Sequence, residues 1–203
     1  MRMRNPGLAF CFLLGLAMLI TGQAEAGKLY LGGSVGQSSA DITLNDIDDG
    51  SITGGMVDDS DTTYKAFVGF RLFKFFALEA DWIDLGMASI DATSDGTGTD
   101  YAAGPVTATA MVDGYRVSAL GVVPLGKRFS VFGRVGYFAW DSSDEITDSV
   151  GTIADSDSDE EEFYGAGLMI KFKGALSIRI EHERMTLDDT DVDLTSVGLA
   201  FRF

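Results

Sequence analysis

Apolar and polar positions alternate with a period of two along most of the chain after residue 28. This period is typical of β-strands, whose successive side chains point to opposite faces. We find no convincing three- to four-residue apolar repeat of an amphipathic helix there. The alternation predicts eight strands, at 29–42, 63–73, 76–90, 109–124, 129–141, 162–172, 175–185 and 194–203.

The connections between these strands alternate between short and long. Tight turns are predicted near Lys74, at 126–128 and at 173–174, whereas the other connections are rich in Asp, Ser, Gly and Thr. Those connections are long except the last, around 188–193. Short periplasmic turns, long external loops and an even strand number are typical of bacterial outer-membrane barrels. The sequence therefore predicts an all-β fold, an eight-stranded antiparallel up-and-down transmembrane β-barrel.

The two faces of each predicted strand differ in chemistry. In 63–73, Tyr64 and Val68 lie on one face, and Lys65 and Arg71 on the other. A Lys or Arg facing lipid costs about 2–4 kcal/mol near the bilayer midplane, so we expect the charged face to line a filled lumen, where charges pair. The expected lumen ion-pair network contains Lys65, Arg71, Glu79, Asp81, Arg116, Arg134, Lys171, Arg179, Glu181, Glu183 and Arg202.

Aromatic residues on the apolar face fall at two heights. Those toward the long loops are expected to form a belt at the membrane interface. They are Tyr64, Trp82, Tyr115, Tyr137 and Tyr164. His182 occupies the equivalent level on the seventh predicted strand, and Phe70, Phe172, Phe201 and Phe203 are expected at the opposite end.

Residues 1–26 have the pattern of a secretory signal peptide. Basic residues precede an apolar run at 7–20, shorter than the roughly 20 residues of a transmembrane helix. Ala24-Glu25-Ala26 then provides a small-residue cleavage pattern. We expect residues 27–203 to form the outer-membrane β-barrel domain; a retained membrane anchor is the alternative. The single cysteine, Cys11, lies inside the apolar run, so lipoprotein processing is not expected.

The composition excludes several classes of function. Asp and Glu number 31 against 15 Lys and Arg, giving a formal net charge of −16. Nucleic acid, whose phosphates require a basic patch, is therefore not an expected partner. One histidine and one cysteine leave few residues for a metal site or a nucleophile–base pair. We expect no cofactor.

The long connections contain dense runs of carboxylates, above all at 155–162. Ca²⁺ takes six to eight oxygen ligands, so Asp155, Asp157 and Asp159 are weak candidate metal ligands. However, no run has the glycine and glutamate spacing of a calcium-binding loop. A solvated, self-repelling loop is the simpler interpretation. Bridging by divalent ions to lipopolysaccharide phosphates is a third.

An enzymatic role would require His182, the only histidine. Its neighbours Glu181 and Glu183 point to the opposite face, and neither residue 180 nor residue 184 is a serine. A serine on a neighbouring strand is the remaining alternative, since catalytic triads are spatial. We therefore expect no catalysis; outer-membrane proteases and lipid-modifying barrels are the enzyme classes to test.

Several short pieces follow one another in a characteristic order and spacing, at 30–36, 114–121, 131–136, 163–168 and 178–184. Together they resemble the OmpA-like eight-stranded outer-membrane barrels, including the opacity-protein-like group. The chain also ends in Phe203, with Phe201 two residues earlier, which resembles the terminal aromatic signal read by the barrel-assembly machinery. The resemblance implies the same barrel fold in the outer membrane.

These features predict a Gram-negative envelope scaffold and surface-interaction protein of the cell outer membrane that acts through long acidic external loops. Its expected partners are outer-membrane lipid and lipopolysaccharide, the barrel-assembly machinery through Phe203, and an extracellular ligand that the sequence leaves open. A monomer is expected because a closed barrel leaves no free edge strand. The alternative is a narrow, porin-like ion channel whose water path is lined by Lys65, Arg71, Arg116, Arg134 and Arg179.

Overall fold

The computed structural model of this chain describes residues 28–172, 174–187 and 190–203. The predicted signal peptide, residues 1–26, and the predicted turn residue Lys173 lie outside the described residues. In the described ranges, no helix is long and apolar enough to cross a membrane.

Nearly all of the described chain is β-structure, with one short 3₁₀ turn at Leu44–Asp46. The strands are β1 (Leu29–Ala40), β2 (Ile52–Asp58), β3 (Ser60–Phe73), β4 (Phe76–Ser94), β5 (Gly104–Leu125), β6 (Phe129–Thr147), β7 (Thr152–Asp155), β8 (Ser158–Lys171), β9 (Leu176–Leu187) and β10 (Thr190–Arg202).

Eight of these strands form a closed antiparallel ring in the order β1, β3, β4, β5, β6, β8, β9 and β10. The ring closes where β10 pairs with β1, from Tyr30 opposite Arg202 to Ala40 opposite Val192. Each ring strand pairs with the ring strands before and after it in the chain. The predicted eight-stranded up-and-down barrel is confirmed.

The two ends of the barrel differ as the connection lengths predict. At the turn end, short turns join β3 to β4, β5 to β6 and β8 to β9. The chain also enters and leaves there, since the backbone N–H of Phe203 donates to the carbonyl oxygen of Leu29 at 2.9 Å. At the loop end, long connections join β1 to β3, β4 to β5 and β6 to β8, and a short one joins β9 to β10.

The strands reach further toward the loop end than the alternation predicted. β4 continues to Ser94, β5 begins at Gly104 and β6 continues to Thr147. Two strands were not predicted: β2 pairs with β4, and β7 pairs with β6. These segments are short of alternating apolar residues, and the exposed edge of a neighbouring strand supplies their hydrogen bonds instead. Much of the predicted loop is therefore sheet that extends the barrel wall.

Burial alternates along the ring strands. In β3, Lys65 and Phe67 are buried inside the barrel, whereas Tyr64 and Val68 are exposed on its outer surface. The outer surface is thus apolar and the lumen contains the charges. A soluble barrel would have the reverse arrangement, so the exposed apolar face is suited to lipid.

Inward glycines leave room for large side chains in the lumen. A Cβ atom at Gly136 would contact the carbonyl oxygen of Val117 and would lie 2.7 Å from a ring carbon of Phe163. Gly121, on the outer face, is different, since nothing lies within 4 Å of a Cβ placed there. The lumen is therefore filled up to the backbone at Gly136.

We expect Gly136→Ala to lower the free energy of unfolding by about 1–3 kcal/mol, because an added methyl overpacks the lumen. Gly121→Ala is the matched control and should leave stability nearly unchanged. Urea unfolding of both variants in lipid vesicles, followed by heat-modifiable gel mobility, measures the difference. Equal stability of the two variants would contradict the close packing at residue 136.

Candidate functional site

Eight charged side chains from five strands meet in the middle of the lumen. None has a side chain more than 2% exposed. Four are cations and four are carboxylates, so the group is formally neutral. We call it the ionic layer, and its members are Lys65, Glu79, Asp81, Arg116, Arg134, Arg179, Glu181 and Glu183.

Arg134 is the centre of the ionic layer, because its guanidinium contacts all four carboxylates. Its Nη2 atom lies 2.8 Å from Asp81 Oδ2. Its Nη1 atom lies 3.1 Å from Glu181 Oε1 and 3.2 Å from Glu183 Oε1. The same Nη1 atom lies 3.3 Å from Glu79 Oε1. One cation on β6 therefore joins acids from β4 and β9.

Lys65 on β3 and Arg116 on β5 bind the same carboxylates from other strands. The Nζ atom of Lys65 lies 2.6 Å from Glu181 Oε2 and 2.7 Å from Glu183 Oε2. The Nε atom of Arg116 donates to Asp81 Oδ1 at 2.6 Å. Buried charges are tolerated when they are paired and hydrogen-bonded in this way.

Two uncharged residues that the sequence reasoning missed complete the layer. The hydroxyl of Tyr30 donates to Glu79 Oε2 at 3.0 Å, and Arg179 Nη1 donates to the same oxygen at 2.6 Å. Arg134 Nη2 donates to Ser118 Oγ at 2.7 Å. Tyr30 and Ser118 both occupy inward positions of their strands, so the alternation of apolar and polar residues was the signal that could have identified them.

Aromatic rings cover the guanidinium groups. The Arg116 guanidinium carbon lies 4.4 Å from the centroid of Phe163. That of Arg179 lies 4.5 Å from Phe67 and 4.9 Å from Phe132. Arg favours such stacking because its planar cation is weakly hydrated. The rings and the carboxylates together replace part of the water that these cations lose, although Arg134 Nε and Arg179 Nε have no hydrogen-bond partner among the described residues.

Apolar layers lie on both sides of the ionic layer, and the sequence reasoning did not predict them. The turn-end apolar layer consists of Tyr30, Phe67, Ala77, Leu120, Val122, Phe132, Met169 and Ala200. The loop-end apolar layer consists of Ile83, Leu85, Phe138, Trp140, Phe163, Met185, Leu187, Val192 and Leu194. The lumen is therefore stratified, with paired charges held between two packed apolar layers.

Three cations expected in the network lie elsewhere. Arg71, Lys171 and Arg202 are at the turn end, separated from the ionic layer by the turn-end apolar layer. Within the described residues, none of them has a carboxylate oxygen within 4.0 Å. Arg202 is exposed and the other two are partly exposed. They do not join the network, because water at the barrel rim can solvate them without an acidic partner.

The predicted interface aromatics all point outward, with exposures of 37–59%. They are Tyr64, Trp82, Tyr115, Tyr137 and Tyr164, and Trp82 lies directly opposite Tyr115 on the neighbouring strand. At the turn end, the exposed rings of Phe201 and Phe203 pack edge to face, with centroids 5.1 Å apart. Each group forms an exposed aromatic surface at its own height on the barrel.

His182 lies on the outer face, and its strand partners are Thr195 and Ala166, neither of which is serine. Its Nδ1 atom is 3.0 Å from Thr195 Oγ1. Its Nε2 atom is 3.8 Å from Asp193 Oδ1. Arg184 holds that carboxylate with two hydrogen bonds, of 2.7 and 2.5 Å. Asp193 is therefore engaged by Arg184 rather than orienting the imidazole.

Carboxylates tie the loop-end segments to one another. Asp49 Oδ2 accepts the backbone N–H of Asp100 at 2.7 Å. Hydrogen bonds from the Ser51 hydroxyl and from this N–H lower the pKa of Asp49 to about 2. Asp148 accepts the N–H of Ala102 at 3.0 Å, and this and other backbone N–H groups lower its pKa. Both groups are ionised at neutral pH, and these ties weaken only as pH falls through the lowered pKa values.

The candidate metal ligands do not converge. The carboxylates of Asp155, Asp157 and Asp159 each accept the backbone N–H of the following residue, at 2.8, 2.7 and 2.8 Å. Within the described ranges, no group of three or more His, Cys, Asp or Glu side chains is placed to hold a metal ion. These aspartates stabilise the backbone of their own segment.

The loop end is uniformly acidic. Residues 41–62, 84–113 and 141–162 are rich in Asp and Glu and contain no Lys, Arg or His. The basic residues outside the ionic layer lie mainly at the turn end, as Lys74, Lys127 and Arg128 do. The barrel therefore has a charge polarity along its axis, with a neutral, packed centre.

Removing one carboxylate from the ionic layer should destabilise the barrel strongly. We expect Glu183→Ala to cost about 3–5 kcal/mol, because it leaves three buried cations with fewer partners. The control is Asp193→Asn, which breaks the exposed pair with Arg184 and should leave the unfolding midpoint near that of the unmodified protein. Urea titration of both variants in vesicles tests this. Similar midpoints would contradict a structural role of the ionic layer.

The sequence matches one protein family over nearly all of its length. The profile described as outer membrane protein beta-barrel domain matches residues 8–203. A comparison with curated proteins finds no match.

Solved structures share the fold at low sequence identity. Ail, the attachment invasion locus protein of Yersinia pestis, is 16% identical, with 88% of this chain and 100% of Ail covered and a TM-score of 0.56. Neisserial surface protein A is 8% identical, with 89% and 100% covered and a TM-score of 0.53. OprG from Pseudomonas aeruginosa is 12% identical, with 88% and 97% covered and a TM-score of 0.52.

The family match and the closed ring with its apolar outer surface agree with the expected resemblance and location. At these identities the solved structures show the fold alone, and the family profile carries the assignment. This protein belongs to the family of outer-membrane β-barrel proteins and resides in the outer membrane.

Proposed function

We propose that this outer-membrane barrel is an envelope scaffold and surface-interaction protein without catalytic activity. The observation that supports this most is the buried ionic layer between two apolar layers, which fills the lumen. A filled lumen leaves the acidic loop end as the surface through which the protein meets the outside. Fold alone does not imply such a role; the filled lumen and the acidic loop end support it.

The outer surface supports stable anchoring in the membrane. We interpret Tyr64, Trp82, Tyr115, Tyr137 and Tyr164 as the interfacial belt of the external leaflet, where amphipathic rings sit at headgroup level. The exposed pair Phe201 and Phe203 fits an assembly signal recognised during insertion. A closed ring has no free edge for strand addition, which favours a monomer.

The loop end is proposed to contact lipopolysaccharide and an external ligand. Strand extensions of β4, β5 and β6 hold its carboxylates beyond the outward aromatic belt. These carboxylates repel lipopolysaccharide phosphates directly, so contact with them would proceed through shared divalent ions. Any directly bound ligand is expected to be neutral or cationic.

The channel alternative would require water to pass the ionic layer. Arg116, Arg134 and Arg179 are among the most deeply buried large side chains of the protein, and rings cover their faces. Opening a path would break several buried ion pairs together and expose both apolar layers. The enzyme alternative is weaker, because Arg184 engages Asp193, the carboxylate that lies 3.8 Å from His182 Nε2.

We expect the refolded protein to give no steady single-channel conductance in planar bilayers, because the packed lumen excludes water. Gly136→Ala, which keeps the lumen filled, should be equally silent. A double variant, Arg134→Ala with Phe163→Ala, removes two large lumen side chains and serves as the leaky comparison if it still folds. Reproducible conductance steps of the unmodified protein would contradict the scaffold proposal and favour the channel.

The charge of the loop end predicts a contrast with Ail, whose structure has been solved in complex with the heparin analogue sucrose octasulfate. We expect no saturable binding of sucrose octasulfate to this protein at physiological ionic strength, because carboxylates repel a polysulfate. Isothermal titration in nanodiscs, with Ail as the positive control, measures it. Saturable binding would show that the loop end does not act as an acidic surface.

A further inference from the structure

A cavity of about 460 Å³ occupies the mouth of the barrel at the loop end. Leu85, Trp140 and Val192, from the loop-end apolar layer, line its deep part. Ala108 and Ala110 line it from β5. The volume is typical of small-molecule sites, which range over about 300–1,000 Å³. Small wall residues leave open a space that larger side chains would have filled.

Trp140 has a hydrogen-bond donor without a partner at this cavity. The residue lines the cavity and is only 4% exposed. Its Nε1–H finds no hydrogen-bond acceptor among the described residues. A buried indole N–H usually has a partner, because leaving it unpaired is costly. The Nε1 atom itself has almost no accessible surface, so Trp140 contributes to the cavity wall but offers no donor to an occupant.

The charge around the cavity has one sign. Among the described residues, no Lys, Arg or His lines it. The cations of the ionic layer lie below the loop-end apolar layer and are neutralised by their own carboxylates. A mouth with low-dielectric walls and charges of a single sign concentrates ions of the opposite sign. The carboxylates that line the cavity belong to Asp46, Asp59, Asp61, Asp144, Asp155 and Asp157.

We propose that this cavity binds a small organic cation, an amine with an apolar body that enters the barrel mouth. The apolar body lies against Leu85, Trp140 and Val192 and the alanines of β5. The ammonium group stays among the carboxylates nearer the external surface. A fatty acid or other anionic amphiphile would bring its carboxylate against this acidic lining, which opposes binding.

Small organic amines are thus the proposed ligand class of the acidic loop end. This inference rests on the proposed function only because both require a folded barrel with a filled lumen. The proposed function is tested by conductance. Amine binding is measured separately, by titration, so a failure of the proposed function and a failure of amine binding can be told apart. A conducting barrel that binds amines would overturn the scaffold proposal alone.

The chain allows a direct optical readout, because it contains two tryptophans. Trp82 lies on the outer face opposite Tyr115, so Trp82→Phe keeps an aromatic there and leaves Trp140 as the single emitter. The protein in zwitterionic nanodiscs is titrated with 4-phenoxybutylamine, 4-phenoxybutan-1-ol and 4-phenoxybutanoic acid. These probes share one skeleton and one ether acceptor and differ in charge.

We expect the amine to change Trp140 emission saturably and to bind about tenfold more tightly than the alcohol, with the acid weakest. Equal binding of the amine, the alcohol and the acid would overturn the proposal, as would the absence of a saturable response to the amine.

Variants locate the site. Ala110→Phe fills the cavity and should abolish amine binding while heat-modifiable mobility shows a folded barrel. The combined change Asp59→Asn, Asp144→Asn and Asp157→Asn should weaken the amine about tenfold and leave the alcohol unaffected. The matched control, Asp58→Asn with Asp91→Asn and Asp159→Asn, removes the same charge from exposed residues that do not line the cavity. Undiminished amine binding by folded Ala110→Phe, or equal losses in the two triple variants, would refute the assignment.

Discussion

Charges removed from water must be neutralised by other charges, and this requirement organises the whole barrel. Lys65, Arg116, Arg134 and Arg179 are fully or almost fully buried, and four carboxylates lie within ion-pair distance of them. A slip of one residue in any of the five strands that supply these side chains would turn its charges toward lipid. The pairing in the lumen therefore fixes which face of these five strands meets the membrane.

Two apolar layers, one on each side, separate the ionic layer from solvent at both ends of the barrel. Rings of Phe67, Phe132 and Phe163 cover the guanidinium faces, so the cations meet carboxylates and aromatic carbon instead of water. The lumen thereby separates the basic turn end from the acidic loop end. The two ends of the barrel are therefore separated by packed side chains.

The loop end contains more regular secondary structure than its composition indicates. Its Asp, Ser, Gly and Thr residues predicted solvated loops, yet strands β4, β5 and β6 continue through them, and β2 and β7 add to their edges. Backbone pairing, together with carboxylates such as Asp49 and Asp148 that accept N–H groups of other segments, replaces side-chain burial there. This framework surrounds the cavity above Trp140.

The sequence alone determined the number of ring strands and their inward and outward faces, because these depend on a period of two and on the cost of charge in lipid. It also determined the acidic character of the loop end, which follows from composition. It also identified the eight members of the ionic layer, but it grouped Arg71, Lys171 and Arg202 with them. Only the tertiary structure decided which inward residues share a height. That depends on the register between strands, which brings Arg134 to four carboxylates from β4 and β9 and leaves Arg71 partly exposed at the turn end.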